Sequence, residues 1–279
     1  MRSSIGGWVL KRPANQEEAS LPLNGFTIVK SRIKLMRILV SNDDGPHGPG
    51  LIPLIEAMKK LGEVFVIVPD RQMSASSHAI TLNKPMRLIR KKKNFYTLTG
   101  TPADCVRFGI IEILKDKVDL VVSGINDGPN MGEDCIYSGT VAAAREGAIL
   151  GFPSFAVSLI SNGNNRFKLA AKYTLEIIKK SLKVKMPKYS LININVPDKD
   201  DIKGIAVSKM GRRIYNDNVD ERTDSRGYKY YWISGKQASG HPLENTDIPL
   251  SEKKYITVTP LKVDQSDISY LKKLKAIKF

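Results

Sequence analysis

Cysteine is nearly absent: the 279 residues contain two, Cys105 and Cys135. Two such thiols build no disulfide scaffold, and without CxxC spacing they make neither a redox pair nor a zinc site. Histidine is as scarce. His47, His78 and His241 stand far apart, and no HExxH occurs. No apolar run approaches the roughly 20 residues that cross a bilayer, so no membrane partner is expected. GxxxxGK[ST] is missing, which excludes a P-loop ATPase or kinase, and the lack of GxSxG leaves a serine hydrolase unsupported. Gly48-Pro49-Gly50 begins a dinucleotide fingerprint, but position 53 is proline and Asp43 and Asp44 occupy the turn a pyrophosphate would approach. Neither cysteine has an arginine six positions on, which removes the usual cysteine phosphatase.

Acidic residues also run short, 28 against 44 Lys+Arg, for a formal net charge of +16. Such a surface attracts anions, and nucleotides, nucleic acid and acidic surfaces all qualify. Part of the excess sits in runs: Lys91–Lys93, then Lys179, Lys180, Lys183 and Lys185, then Lys272, Lys273, Lys275 and Lys278. No aromatic residues interleave them, so they read as solvated faces rather than a nucleic-acid footprint. The remaining composition, 42% hydrophobic and 26% charged, is that of a globular chain. Its length suffices for one large α/β core or two small domains. The few unpaired thiols make a reducing cytoplasm the expected compartment.

Residues 1–35 hold 6 basic and 2 acidic residues among scattered Gly, Pro and Ser, with no sustained period. They read as an appended tail or a start-codon artefact, with a domain over 36–279. From Met36 the pattern alternates. Strands are expected over Arg37–Ser41, Val64–Val68, Val118–Ser123, Ser154–Leu159 and Leu191–Val196, with two more around a lysine-rich turn in 85–99. Helices are expected over Gly50–Leu61, Thr140–Leu150 and Phe167–Leu182. Another should start at Thr101-Pro102-Ala103-Asp104, an N-cap threonine, a proline at N1 and an acid at N3, and run to about Lys115. Continuous apolar strands alternating with helices predict an α/β fold, a Rossmann-like, doubly wound, mostly parallel sheet covered on both faces. After Pro197 the texture changes: Tyr228–Ile233 and Tyr255–Thr259 read as strands with no helix between them. The core is therefore expected over 36–200, with an oligomerisation arm or hairpin and the C-terminal segment over 201–279.

In an open parallel sheet ligands bind beyond the carboxyl ends of the strands. Three loops there carry chemistry: Ser41-Asn42-Asp43-Asp44-Gly45, Ser74-Ala75-Ser76-Ser77-His78, and Ser123-Gly124-Ile125-Asn126-Asp127-Gly128-Pro129-Asn130. Asn-Asp-Asp-Gly is also a good turn sequence. At a strand end, however, two adjacent carboxylates repel each other unless a cation or proton intervenes. With hydroxyl and amide oxygens from the other loops the donor set is hard, which suits Mg²⁺ or Mn²⁺ better than zinc. Ser138-Gly139-Thr140 opens a helix, either as a plain N-cap or as a phosphate cradle. His78 could touch a substrate or make a structural hydrogen bond; both readings stand.

Met36-Arg37-Ile38-Leu39-Val40-Ser41-Asn42-Asp43-Asp44-Gly45 resembles the opening of the SurE family, the stationary-phase survival proteins with 5′/3′-nucleotidase activity. The likeness continues through Thr99–Val106, Val122–Asn126, Gly128–Gly132, Tyr137–Val141, Asn193–Pro197, Tyr231–Ile233 and Val258–Leu261. It implies a divalent-metal phosphomonoesterase acting on nucleoside monophosphates, with one Mg²⁺ or Mn²⁺ per subunit. By that resemblance Asp43, Asp44, Ser74 and Asn126 hold the metal, with Asp43 or Asp44 catalytic. Ser138, Gly139 and Thr140 would hold the phosphate, with Asn42, Ser76, Ser77 and Asn130 nearby. A homodimer or homotetramer formed by exchange of C-terminal segments is also implied, with nucleic acid not required. Exopolyphosphatase activity, or a non-catalytic nucleotide- or RNA-binding regulator using the same crevice, remains the alternative.

Overall fold

The computed structural model describes residues 35–213, 215–237 and 243–277. The expected tail over 1–35, apart from Leu35, and His241 lie outside the described residues. Strands β1 (Met36–Ser41), β2 (Gly62–Pro69), β3 (Leu88–Lys92), β4 (Phe95–Leu98), β5 (Leu120–Asp127), β6 (Ser154–Ile160), β7 (Ser190–Pro197), β8 (Gly204–Val207) and β11 (Tyr255–Lys262) form one sheet. Its order is β3-β4-β2-β1-β5-β6-β7-β11-β8. Pairing is parallel throughout the centre and antiparallel only for β3 on β4 and β11 on β7. This is the expected doubly wound α/β sheet.

Strand periodicity sorts the two faces. Ile38, Val40, Val66, Val68 and Val122 pack under α1 (Leu51–Met58) and α5 (Phe167–Ser181). Leu39, Phe65, Ile67 and Val121 point the other way, toward α2 (Pro102–Phe108) and α4 (Gly139–Ile149). Both faces are apolar because both are covered, which is why β1 and β5 read as continuous apolar runs. The predicted capping box of α2 forms: Asp104 N–H donates to Thr101 Oγ1 at 3.1 Å, and Thr101 N–H donates to Asp104 Oδ2 at 2.8 Å. The helix then widens into a π turn over Gly109–Ile113, where Leu114 N–H reaches back to the Gly109 carbonyl at 2.9 Å. A Cβ on Gly109 would lie 3.0–3.1 Å from Ile67 and Leu39, so glycine is what lets this helix sit so low on the sheet.

Past Pro197 the chain departs from expectation. A short helix, α6 (Asp247–Glu252), stands between the hairpin and β11. Strands β8 and β11 belong to the main sheet, so the sheet continues past residue 200. What stands apart is a two-stranded ribbon of β9 (Tyr215–Thr223) and β10 (Lys229–Gln237). The polar sequence of β9 carries no apolar period, and α6 has only six residues, one of them proline, so neither gave a periodic signal. A last helix, α7 (Ile268–Leu274), buries none of its side chains and is visible in sequence only as part of a lysine run.

Replacing Asp104 by alanine removes both its capping role and its bond to the Thr81 N–H at 3.0 Å. The expected loss is about 1–2 kcal/mol, read from the urea midpoint, with an unchanged midpoint contradicting the cap.

Candidate functional site

The loop after β1 turns at once. Asn42 Nδ2 donates to the Gly45 carbonyl at 2.8 Å, and Gly45 N–H returns a bond to Asn42 Oδ1 at 3.1 Å. Gly45 adopts φ +77, and a Cβ there would meet the Arg71 and Pro69 backbones at 3.2–3.3 Å. This clamp holds Asp43 and Asp44 at the mouth of the sheet. The Asn42 side chain, expected near the phosphate, bonds within its own turn and is not among the residues lining the hollow.

The aspartates share a hollow of about 210 Å³ with Gln72, Ser74, Ala75, Asn126, Asp127, Asn130, Asp134, Tyr137 and Ser138. A larger hollow of about 440 Å³ beside β11 has mainly apolar walls, and no carboxylate lines it. Asp43 is 5% exposed and accepts a hydrogen bond from Thr140 Oγ1. Burial pushes its carboxyl above the usual range, against the opposing pull of the Thr140 hydroxyl and N–H. Asp44 is pushed up to about 6, first by burial and then by the charges of Asp43 and Asp127. Its Oδ2 is buried without a hydrogen-bond partner. Among the described residues no group of three or more His, Cys, Asp or Glu is arranged to hold a metal ion. Any cation here therefore needs neutral oxygens as well. Asn126 supplies one: its Nδ2 donates to the Gly128 carbonyl at 2.9 Å, which leaves the amide oxygen for another partner. Ser74 supplies a hydroxyl, which accepts from Gln72 Nε2 at 3.0 Å. The donor chemistry fits a hard divalent cation.

The serine loop is tied to the β1 loop and to α3 (Asp134–Tyr137). Met73 N–H donates to the Asp43 carbonyl at 2.7 Å, and Ser77 N–H to the Tyr137 carbonyl at 2.9 Å. Ser77 Oγ donates to the Ile136 carbonyl at 2.8 Å, so the predicted phosphate contact at Ser77 is already engaged. Ser76 Oγ is buried and unpartnered. A Cβ on Gly139 would lie 2.9 Å from it and 2.8 Å from the Asp43 Cβ, so only glycine lets the start of α4 come this close. Ser138 lines the hollow, but its hydroxyl accepts from Val141 N–H at 3.0 Å as an N-cap. Gly139, Thr140, Ser76 and Ser77 are not among the residues that line the hollow. His78 pairs with the buried Glu146 at 2.8 Å, the structural reading of that histidine.

The structure thus brings Asp43, Asp44, Ser74, Asn126, Asn130 and Ser138 to one hollow. Gln72, Asp127, Asp134 and Tyr137 were not singled out. Asp127 and Tyr137 directly follow or precede named residues, so their places at the end of β5 and before α4 were the available signal.

Comparison with known proteins gives the family and the fold. The family model described as "Survival protein SurE" matches residues 38–217. A protein named 5′-nucleotidase SurE from Pelobacter propionicus is 42% identical over 240 residues, 85% of this chain and 97% of the relative. One of the same name from Aeromonas hydrophila is 43% identical over 249 residues, 86% of this chain and 98% of the relative. The crystal structure of the SurE protein from Aquifex aeolicus superposes with a TM-score of 0.77 at 42% identity, covering 86% of this chain and 98% of that one.

In the cation-free protein the Asp44 carboxyl keeps its proton to about pH 6, whereas its ordinary value is 3.8. The folded state then binds more protons within that window, so this group's contribution to stability falls as pH rises through it. In EDTA-treated protein, the wild-type thermal midpoint should decline relative to that of Asp44→Asn between about pH 4 and about pH 6.5. Parallel curves for the two proteins would contradict the assignment.

Proposed function

The chain belongs to the SurE family, and on that premise we propose that it is a divalent-metal-dependent 5′-nucleotidase, hydrolysing nucleoside monophosphates to nucleoside and phosphate. Nucleotidases of this family are metal-dependent; one Mg²⁺ or Mn²⁺ per subunit is our reading. The observation that carries it is the pair of desolvated carboxylates, Asp43 and Asp44, facing neutral oxygens of Ser74 and Asn126 across one hollow.

Asp43, Asp44, Ser74 and Asn126 would hold the cation. When bound, it lowers the pKa of a water and neutralises charge on the phosphoryl group. Asp43 is occupied by Thr140, which fixes its orientation. Asp44 Oδ2 has no partner, so we assign proton acceptance from the attacking water to that atom. The first turn of α4 presents its amino end, where backbone N–H groups and the helix dipole favour an anion. In this reading Asn130, which lines the hollow, and Ser76, whose buried and unpartnered hydroxyl lies against Gly139, make up the phosphate side. Phosphoryl transfer needs mostly positioning and charge stabilisation, which this set provides without a covalent nucleophile.

The polyphosphate and RNA readings draw on the net charge of +16. Lys91–Lys93 stand at the β3–β4 turn and Lys179–Lys185 close α5. In a parallel sheet both places are at the amino-terminal edge, opposite the hollow, so these runs form no basic track out of it. The hollow itself is lined by Asp43, Asp44, Asp127 and Asp134, with no lysine or arginine. A short, locally acidic pocket favours a small phosphomonoester over a polyanion.

The hairpin exposes Val219, Tyr230, Tyr231, Trp232 and Ile233 at 41–86%. An isolated two-stranded ribbon with so much apolar surface is marginal alone, which supports a homodimer or homotetramer built through the C-terminal segment. No helix among the described residues is long and apolar enough to cross a membrane, and a cytoplasmic location is our reading.

Phosphate release from a panel of 5′- and 3′-monophosphates and polyphosphate tests the activity. AMP or GMP should be hydrolysed with Mg²⁺ or Mn²⁺ and not with EDTA, and Asp43→Asn should lose at least about 100-fold in kcat while folding normally. Wild-type turnover in that variant, or turnover unaffected by EDTA, would overturn the proposal.

A further inference from the structure

Two asparagines lie inside the otherwise apolar strand β7. Asn193 and Asn195 are both 0% exposed. Burying an amide costs free energy unless its hydrogen bonds are met. Here the bonds converge on one distant residue. Asn130 N–H donates to Asn195 Oδ1 at 2.8 Å. The Asn130 carbonyl accepts from Asn193 Nδ2 at 2.8 Å, from Asn195 Nδ2 at 3.0 Å and from Cys135 Sγ at 3.4 Å. The Asn130 side chain is held too, its Nδ2 donating to Ser158 Oγ at 2.8 Å. Asn193 Oδ1 finds no partner, so this amide is not placed for its own satisfaction.

Sheet register explains how the pieces meet. Asn126 on β5 pairs with Ser158 on β6, and Ser158 pairs with Asn195 on β7. Parallel neighbours in register point to the same face, so a polar rank runs sideways from the cation side of the hollow to the asparagine pair. The rank anchors Asn130 at its N–H, its carbonyl and its Nδ2, so in this structure the unbonded end of the amide is the Oδ1 acceptor, and the donor end reaches a phosphate only if the amide turns over.

Resting on the phosphate role given to Asn130 above, we propose that Asn195, with Asn193 and Ser158, is a positioning residue for phosphate recognition. It presents the Asn130 amide to the substrate phosphate. A serine hydroxyl donates as readily as it accepts. Ser158 can therefore hold the amide oxygen while the amide NH2 turns to a phosphate oxygen.

The test compares Asn195→Ala and Ser158→Ala with wild type in the Mn²⁺-loaded full chain. It reads KM and kcat for AMP, inhibition by inorganic phosphate, the half-saturating Mn²⁺ concentration and the thermal midpoint. Loss of one oriented hydrogen bond corresponds to about tenfold. KM and the phosphate inhibition constant should each rise about tenfold, with half-saturating Mn²⁺ unchanged. Ser158→Ala removes only one hydroxyl, and it carries the test if Asn195→Ala does not fold. Unchanged KM and unchanged phosphate inhibition in a folded variant would overturn the inference alone. A wild-type protein that neither cleaves AMP nor is inhibited by phosphate would overturn the underlying reading with it.

Discussion

Two adjacent carboxylates held out of water at the end of a central strand are the constraint around which the rest of the site is arranged. Burial raises the cost of ionising both, and at Asp44 the charges of Asp43 and Asp127 add to it. Such a pair is unfavourable in a protein with nothing to bind. The surrounding structure keeps it in place regardless: the Asn42 clamp fixes the turn, Thr140 grips Asp43, and the Met73 N–H holds the Asp43 carbonyl. Electrostatic strain of this kind, retained beside neutral oxygens, is relieved by a dication. That argument singles out this hollow from the larger apolar one beside β11.

The doubly wound sheet supplies the rigidity. Its central strands are buried on both faces, so their carboxyl ends are set by core packing and not by the loops themselves. Asp43, Asn126 and Asn130 come from the ends of neighbouring strands β1 and β5, while α4 brings its amino end against Asp43 through a glycine that tolerates the approach. The start of α4 thereby packs directly against the carboxylate pair.

Much of this was legible in the residues. Strand order could not be read, but the alternation of apolar runs and helical faces specified the sheet, and the capping box at Thr101 appeared where its spacing put it. The aspartate pair stood out, although its sequence also suits a turn, because adjacent carboxylates at a strand end repel each other unless a cation or proton intervenes. The hydroxyl and amide residues were harder. Asn42, Ser77 and Ser138 are types that serve turns and caps as well as ligands, and the fold spends their side chains locally. Past Pro197 the signal failed for a different reason: a polar ribbon and a six-residue helix have no internal period, and the return of β11 to the sheet is a long-range pairing. Asn193 and Asn195 read as part of a strand, since their meaning depends on a loop more than sixty residues away.

The central claim is that the carboxylate pair exists to hold a dication. Anomalous diffraction from crystals soaked in manganese, collected at the manganese edge, tests it most directly. The account predicts one strong peak per subunit within bonding distance of Asp43, Asp44 and the Asn126 amide oxygen. A featureless map there, with the two carboxyls turned to solvent or protonated against each other, would contradict it.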